Sequence, residues 1–239
     1  MGRFAKVIAL AAGNKGGLPA LDKLLADSKS RTQAEIAAIP DGRLLSEMSR
    51  RIFQAGFSWK VVDDKWPAFE DLFGGFDPRA CANLPEARFD ALLKDARIIR
   101  NAAKIGSIVA NARFILDLAA EKGSAARFIA EWPDNDYIGL LDLFEKRASR
   151  LSGQAAMRFL RSIGKPVFIT TNAVVTALIR EGVLTKPPGG KRDMKTIQDA
   201  FNAWSAESGR DLTEISRILA MSVVEDAPPS SKYYTRGMR

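Results

Sequence analysis

Hydrophobic residues recur along most of the chain at spacings of three and four, which is typical of helices with one buried face. The clearest stripe follows Asp41 and consists of Leu44, Leu45, Met48, Ile52 and Phe53. Further helices are predicted at 101–120, 125–132, 137–147, 153–163, 167–181, 193–207 and 212–223. No segment alternates with the period of two that is typical of a strand. The pattern predicts an all-α protein, a two-lobed helical bundle of about ten to twelve short helices.

Glycine and proline divide these helices. A Gly-rich stretch at 13–19 separates the first two, and a basic Pro/Gly loop is predicted at 186–191. Pro67 is expected to interrupt the helix that Ser58 begins. We therefore expect one helical domain over 1–225 and a flexible tail over 226–239.

The composition excludes several kinds of chemistry. The chain has 239 residues, 46% of them hydrophobic, with no histidine and one cysteine. It can form neither a Ser-His-Asp triad nor a histidine-ligated or multi-cysteine metal site. We therefore expect no metal and no cofactor. Apolar runs are too short to cross a membrane, which predicts a cytoplasmic protein without a membrane partner.

Positive charge is concentrated in one part of the sequence. The net charge is +8, and residues 151–200 hold eight basic and three acidic side chains, Arg158 and Arg161 among the basic ones. Such a surplus is what neutralisation of nucleic-acid phosphates requires. A pI near 9.7 also occurs in proteins that never bind nucleic acid, so charge alone leaves both interpretations open.

A tight turn at 162–167 joins two predicted helices. Gly164 permits the positive φ that ends one helix, and Pro166 suits the first turn of the next. Backbone amides would then face outwards beside Lys165, Thr170 and Thr171, as a phosphate site requires. The alternative is a plain αα-hairpin without a ligand.

Several motifs stand in register in the first half of the chain. They are QAGFSW at 54–59, FDP at 76–78, DARIIRN at 95–101, Lys104-Ile105 and Asn111-Ala112. Together they resemble the bacterial 3-methyladenine DNA glycosylase I family over 51–112. A weaker resemblance covers 159–181, where members of that family place a helix-hairpin-helix.

The resemblance implies a monomeric helix-hairpin-helix enzyme of DNA base-excision repair. Such an enzyme flips a cationic alkylated purine, chiefly 3-methyladenine, out of double-stranded DNA and hydrolyses its N-glycosidic bond. The implied base-binding residues are Phe53, Gln54, Phe57 and Trp59. The implied DNA contacts are Arg100, Lys104, Gly164, Lys165, Thr170 and Thr171.

Each of these roles has a structural alternative. The Trp59 indole would replace the lost stacking of a flipped base and attract a cationic one, or it is a core residue. Phe57 would fill the gap in the duplex, or it packs at a helix end. Arg100 and Lys104 would contact phosphates, or they pair with Asp95.

The sequence also departs from the family. The carboxylate that relatives place eight residues before the tryptophan is replaced by Arg51, and the zinc ligands and N-terminal aromatic residues of many relatives are missing. Glu47 is our candidate catalytic group, although a Glu47–Arg51 ion pair is the simpler interpretation. No acid is placed to expel a neutral base, so neutral lesions are expected to be poor substrates.

Two competing functions follow from these departures. One is a helix-hairpin-helix DNA-binding protein that has lost base-excision chemistry, which would bind without lesion preference. The other is a helical protein-interaction module whose basic surface is fortuitous.

Overall fold

The computed structural model describes residues 2–26 and 29–224, and these residues form helices and connecting turns without a strand. The α-helices are α1 (Arg3–Lys15), α2 (Leu18–Ala26), α3 (Gln33–Ala37), α4 (Asp41–Gln54), α5 (Trp59–Leu72), α6 (Pro78–Ala82), α7 (Glu86–Lys94), α8 (Ala102–Lys122), α9 (Ala125–Glu131), α10 (Tyr137–Arg147), α11 (Gly153–Ser162), α12 (Asn172–Arg180), α13 (Lys191–Ser208) and α14 (Leu212–Met221). Short 3-10 helices occupy Gly74–Phe76 and Asp134–Asp136. The all-α prediction is confirmed. The predicted tail at 226–239 lies outside the described residues.

The helices group into two compact units. The first holds α1, α2 and α12 to α14, from the two ends of the chain. Within it, α14 packs against α1, α12 and α13. Its core includes stacked Phe4 and Trp204, whose ring centroids are 5.4 Å apart.

The second unit, residues 30–167, is organised around α4. The predicted stripe of this helix is buried throughout, as its spacing requires. α4 packs against α5, α8, α9 and α11. Its Phe53 ring meets those of Trp66 and Phe69 at 6.1 and 4.7 Å. This aromatic packing fixes the end of α4, from which the candidate site extends.

Two predicted helix boundaries are wrong. Pro67 lies inside α5 instead of interrupting it, because the neighbouring Trp66 and Phe69 are buried and stack on each other at 4.8 Å. The second helix of the hairpin begins at Asn172 and not at residue 167. The chain between Pro166 and Thr171 is not helical, and Thr171 supplies the N-cap.

Candidate functional site

The turn between α4 and α5 exposes aromatic side chains. Gly56 has a φ of 83°, a left-handed conformation that favours glycine and that reverses the chain after α4. Phe57 follows in the turn and Trp59 begins α5. Their side chains are 40% and 47% exposed. The interpretation of Trp59 as a core residue is therefore wrong, and we call Phe57 and Trp59, the two exposed aromatic residues of this turn, the apolar patch.

Two arginines lie over the Trp59 ring. The Arg51 guanidinium carbon is 5.8 Å from the ring centroid and that of Arg158 is 5.2 Å from it. Both distances are within the range of a cation–π contact. The remaining contact of the Arg158 guanidinium in the described residues is a 3.4 Å hydrogen bond to Gln154 Oε1. No carboxylate there neutralises Arg158. Two positive charges therefore stand where a cationic base was expected to stack.

Glu47 pairs with Arg51. The Glu47 Oε1 atom lies 2.6 Å from Arg51 Nη2, one helical turn along α4. The simpler of the two interpretations of Glu47 is thus confirmed. Arg51 Nη1 also donates to Gln54 Oε1 at 2.7 Å, whereas its buried Nε finds no hydrogen-bond partner in the described part of the chain. A catalytic role for Glu47 would require this ion pair to open.

Phe53 and Gln54 are buried, at 0% and 4% exposure. Phe53 belongs to the aromatic core beneath α5, as its position in the α4 stripe dictates. The Gln54 amide donates to Asp63 Oδ1 at 2.8 Å, and Arg50 holds the same carboxylate at 2.8 Å. The prediction that Phe53 and Gln54 contact a base directly is not supported by this geometry. They position the turn that carries Phe57.

Lys104 also lies beneath the turn. Its ammonium donates to Phe53 O at 3.1 Å and to Ala55 O at 2.6 Å, which caps the carboxyl end of α4. It stands 4.6 Å from the centroid of the Phe57 ring. Burial, with a smaller contribution from the positive charge of Arg150, lowers the pKa of Lys104 from 10.5 to about 8. Lys104 is therefore a structural support of the site, not an exposed phosphate contact.

Arg100 lies on the surface and finds no ion-pair partner in 2–26 or 29–224. The alternative in which Arg100 or Lys104 pairs with Asp95 is wrong, because Arg97 takes that carboxylate at 2.8 Å. Arg97 also holds the pKa of Asp95 below its usual value through hydrogen bonds. Arg100 is thus free to contact a phosphate, and that role stays a prediction.

The hairpin turn is closed by its own backbone. Gly164 has the predicted positive φ, 90°. Its amide donates to Arg161 O at 3.1 Å, and the amide of Lys165 donates to Leu160 O at 3.0 Å. Arg31 covers the other side: its amide donates to Gly164 O at 2.9 Å, and a Cβ added at Gly164 would lie 2.5 Å from Arg31 Cγ. These two amides are used within the protein and do not face outwards for a phosphate.

Lys165 points into the second unit. Its side chain is 4% exposed, and its ammonium contacts Ala130 O at 3.2 Å, Trp132 O at 2.6 Å and Asp134 at 2.8 Å. The three contacts match the three protons of an ammonium group. The prediction of a phosphate contact at Lys165 is corrected accordingly: the side chain caps the carboxyl end of α9. Beside it lies a cleft of about 220 Å³ that Arg31, Trp132 and Pro166 help to line.

Thr170 and Thr171 belong to the first unit. Thr170 is 8% exposed, so little of it is open to a ligand. Thr171 Oγ1 accepts from the amide of Val174 at 3.3 Å and caps α12. Thr171 therefore has a structural role as the N-cap of α12, and the predicted contacts of Thr170 and Thr171 to DNA stay predictions.

One helix links the base site with the hairpin. α11 carries Arg158, which contacts Trp59, and it ends two residues before Gly164. The helical rise from Arg158 to Ser162 is about 6 Å along the axis. α11 thus joins the contact of Trp59 to the hairpin turn within the second unit, and the convergence of Trp59 and Gly164 on one DNA strand stays a prediction. The sequence indicated Arg158 only as part of the charge surplus, because its contact with Trp59 joins distant parts of the chain.

Neither a metal cluster nor a membrane span is found in the described ranges. No three of their histidine, cysteine, aspartate or glutamate side chains are grouped as metal ligands would be. No helix within 2–26 or 29–224 combines the length and the apolar character that crossing a bilayer requires.

Comparison with known proteins identifies relatives of the central part of the chain. Residues 38–148 match the family described as methyladenine glycosylase. The DNA-3-methyladenine glycosylase 1 of Escherichia coli is 40% identical over 65 residues, which are 27% of this chain and 35% of the relative. The DNA-3-methyladenine glycosylase of Haemophilus influenzae is 36% identical over 63 residues, 26% of this chain and 34% of the relative. The chain thus spans about a third of the length of these two relatives.

The fold extends beyond this segment. The crystal structure of the 8-oxoguanine DNA glycosylase of Methanocaldococcus jannaschii aligns with 90% of this chain and 92% of its own, with a TM-score of 0.57 and 15% identity. At that identity the likeness shows that the two proteins share a fold. The family match covers residues 38–148, which are less than half of this chain.

Proposed function

We propose that this protein is a DNA glycosylase of base-excision repair that flips an alkylated purine out of the duplex and hydrolyses its N-glycosidic bond. The family match over 38–148 supports this proposal, and the names of the two relatives make 3-methyladenine the first base to test. The proposed partner is double-stranded DNA. The monomeric state and the cytoplasmic location stay predictions.

The observation that carries the proposal is the half-exposed indole of Trp59 beside the exposed ring of Phe57. A flipped base needs a flat surface, and stacking on an aromatic side chain is worth about 1–3 kcal/mol per base. An apolar side chain at a turn can enter the space that the base leaves. Lys104, which binds the carbonyls at the end of α4, holds this turn in place. The apolar patch can therefore both stack on the flipped base and fill the space that the base leaves in the duplex.

The cations of this region suit the DNA backbone. Arg100 is exposed without an ion pair to a described residue, and Arg158 has no carboxylate partner there. Unpaired guanidinium groups bind phosphate oxygens in a bidentate manner. We infer that Arg100, and not Lys104 or Lys165, supplies a phosphate contact of the second unit, whereas Arg158 lies beside the base site.

The catalytic chemistry is proposed to rest mainly on positioning. Glu47 is the candidate for orienting the attacking water, but its carboxylate is held by Arg51 at 2.6 Å. A stacked base holds the sugar in a fixed position, and the site keeps one water molecule next to it while bulk water is excluded. The reaction then becomes effectively intramolecular. Glu47 would act only after DNA binding separates it from Arg51.

The direct test is release of methylated bases from DNA treated with a methylating agent. Trp59→Ala should lower the rate at least about tenfold, because base stacking is lost, while affinity for undamaged duplex changes less than about twofold. Leu18→Ala is a matched control, since Leu18 is 52% exposed in the first unit. A wild-type protein that binds duplex DNA and releases no base would refute the enzyme. Equal losses in Trp59→Ala and Leu18→Ala would refute the role of the indole.

A second candidate function is a DNA-binding protein without base-excision chemistry. The closed Glu47–Arg51 ion pair favours it, because this pair occupies the one carboxylate that the sequence offers as catalytic. Such a protein would bind undamaged and alkylated duplex equally, with affinity that falls steeply with salt. Competition between the two duplexes distinguishes the candidates.

A further inference from the structure

One of the arginines around Trp59 has no carboxylate partner among the described residues. Arg51 is paired with Glu47 at 2.6 Å, and Arg50 is paired with Asp63 at 2.8 Å. Arg158 is left without a counter-charge in the described residues, and it is the arginine whose guanidinium lies 5.2 Å from the Trp59 ring. The surface on which the base is proposed to stack therefore carries one uncompensated positive charge.

Arg158 also has hydrogen-bonding capacity to spare. A guanidinium carries five N–H groups, and the contact of Arg158 with Gln154 Oε1 is long, at 3.4 Å. Arg51, by contrast, donates a hydrogen bond from Nη1 to Gln54 Oε1 and forms an ion pair with Glu47 through Nη2. Arg158 is therefore the arginine beside Trp59 that can turn its N–H groups towards the edge of a stacked base. Paired acceptors on a purine edge, such as O6 and N7, match a guanidinium fork.

We propose that Arg158 determines specificity at this site and directs it to neutral purines that carry acceptor atoms on their edge, such as hypoxanthine, in preference to cationic ones. The proposal rests on the proposed glycosylase function, and it replaces the cationic alkylated purine of that proposal by a neutral purine as the preferred base. It reverses the expectation that neutral lesions are poor substrates.

The chemistry of the leaving group supports this choice. When a neutral purine departs, the electron pair of the C1′–N9 bond stays on the base, which becomes an anion until it takes a proton from water. The attacking water forms the new C1′–O bond and loses its proton to solvent. A guanidinium beside the base stabilises that negative charge in the transition state. A cationic purine departs as a neutral base, so it gains nothing from Arg158 and is repelled by it while bound.

The test compares two substrates across matched variants. One is duplex DNA with a single deoxyinosine, whose base is neutral, and the other is methylated DNA, whose 3-methyladenine is cationic. We expect Arg158→Gln to lower the ratio of hypoxanthine release to 3-methyladenine release by about tenfold, as the loss of one charge near the base implies. Arg158→Lys keeps the charge and should keep the ratio within about threefold. Arg127→Gln, an exposed arginine of the same unit, is the control and should leave it unchanged.

A ratio that Arg158→Gln leaves within twofold of the wild-type value, roughly the scatter of such assays, would overturn the proposal while the glycosylase function stands. A wild-type protein that releases neither base would refute the proposed function, and specificity is then read from binding of nucleosides. Quenching of tryptophan fluorescence by neutral inosine and by cationic 1-methyladenosine is measured in wild type, Arg158→Gln and Trp59→Phe. A preference for inosine that disappears in both variants supports the role of Arg158, and equal binding of the two nucleosides in wild type overturns it.

Discussion

Lys104 offers a quantitative test of the site because its charge is buried beneath the exposed turn. Burial lowers the pKa of this ammonium from 10.5 to about 8 in the folded protein, whereas the unfolded chain retains the ordinary value. Between pH 8 and pH 10.5 the unfolded state therefore binds more protons than the folded state. Stability must rise with pH across this window, by about 3 kcal/mol in full, because the cost of burying the charge disappears as the group deprotonates.

The perturbation that isolates this effect is Lys104→Met, which keeps the length of the side chain and removes the titrating group. Cys81 opposes the trend, since burial raises the pKa of its thiol from 9.0 to about 12 and stability falls as pH rises above 9. Comparing wild type with the variant cancels this opposing contribution. Loss of the two hydrogen bonds to Phe53 O and Ala55 O lowers the stability of the variant by an amount that does not change with pH until Lys104 deprotonates.

The assay is urea unfolding, followed by tryptophan fluorescence at intervals between pH 7.5 and pH 10. The free energy of unfolding of wild type, relative to Lys104→Met, should increase by about 2 kcal/mol over this range. Lys60→Met is the control, because Lys60 is exposed and its hydrogen bond to Asp64 raises its pKa, so no increase is expected. If the difference in free energy of unfolding between wild type and Lys104→Met does not change with pH, the assignment of a buried, charged Lys104 as the support of the turn is refuted.

Two further substitutions test other parts of the second unit. Arg51→Gln releases the Glu47 carboxylate from its ion pair and removes one positive charge beside Trp59, so release of 3-methyladenine should rise by about threefold to tenfold in the methylated-DNA assay. Gly164→Ala forces a side chain into a φ of 90° and against Arg31 Cγ, so it should lower the free energy of unfolding by about 1–3 kcal/mol in urea titrations. Unchanged rates in the first case, or unchanged stability in the second, would contradict the geometry described.

The helices were predictable because their signals are local. The stripe of α4 repeats within one segment, and the long α8 begins at Asn101, whose side chain accepts from the amide of Lys104 and so marks the helix start. The misplaced start of α12 has a different cause. Pro166 suits the first turn of a helix, yet the following residues are not helical, and the helix starts only after Thr171, which provides the cap.

The site was predictable only in part. The motif at 54–59 located Trp59 and Phe57, and the exposure of Trp59 contradicts its interpretation as a core residue. Their contact with a base stays a prediction. The same resemblance predicted base contacts for Phe53 and Gln54, which are buried, although the α4 stripe already assigned Phe53 to the core. Arg158 could not be assigned from the sequence, because its position over the indole depends on the packing of α11 against α4.

Lysines and arginines have different roles in the second unit, and the difference follows from the chemistry of their side chains. Lys104 and Lys165 were both predicted to bind DNA, and each instead binds carbonyl groups at the end of a helix, α4 and α9 respectively. A compact ammonium with three protons suits such a cluster of oxygens and the negative end of the helix dipole. Guanidinium groups are more weakly hydrated and present a planar fork, which suits phosphates, base edges and the faces of indoles. Arg158 and Arg100 therefore remain as two arginines of this unit whose guanidinium groups have no carboxylate partner among the described residues, which is why recognition should respond to arginine substitutions and stability to lysine substitutions.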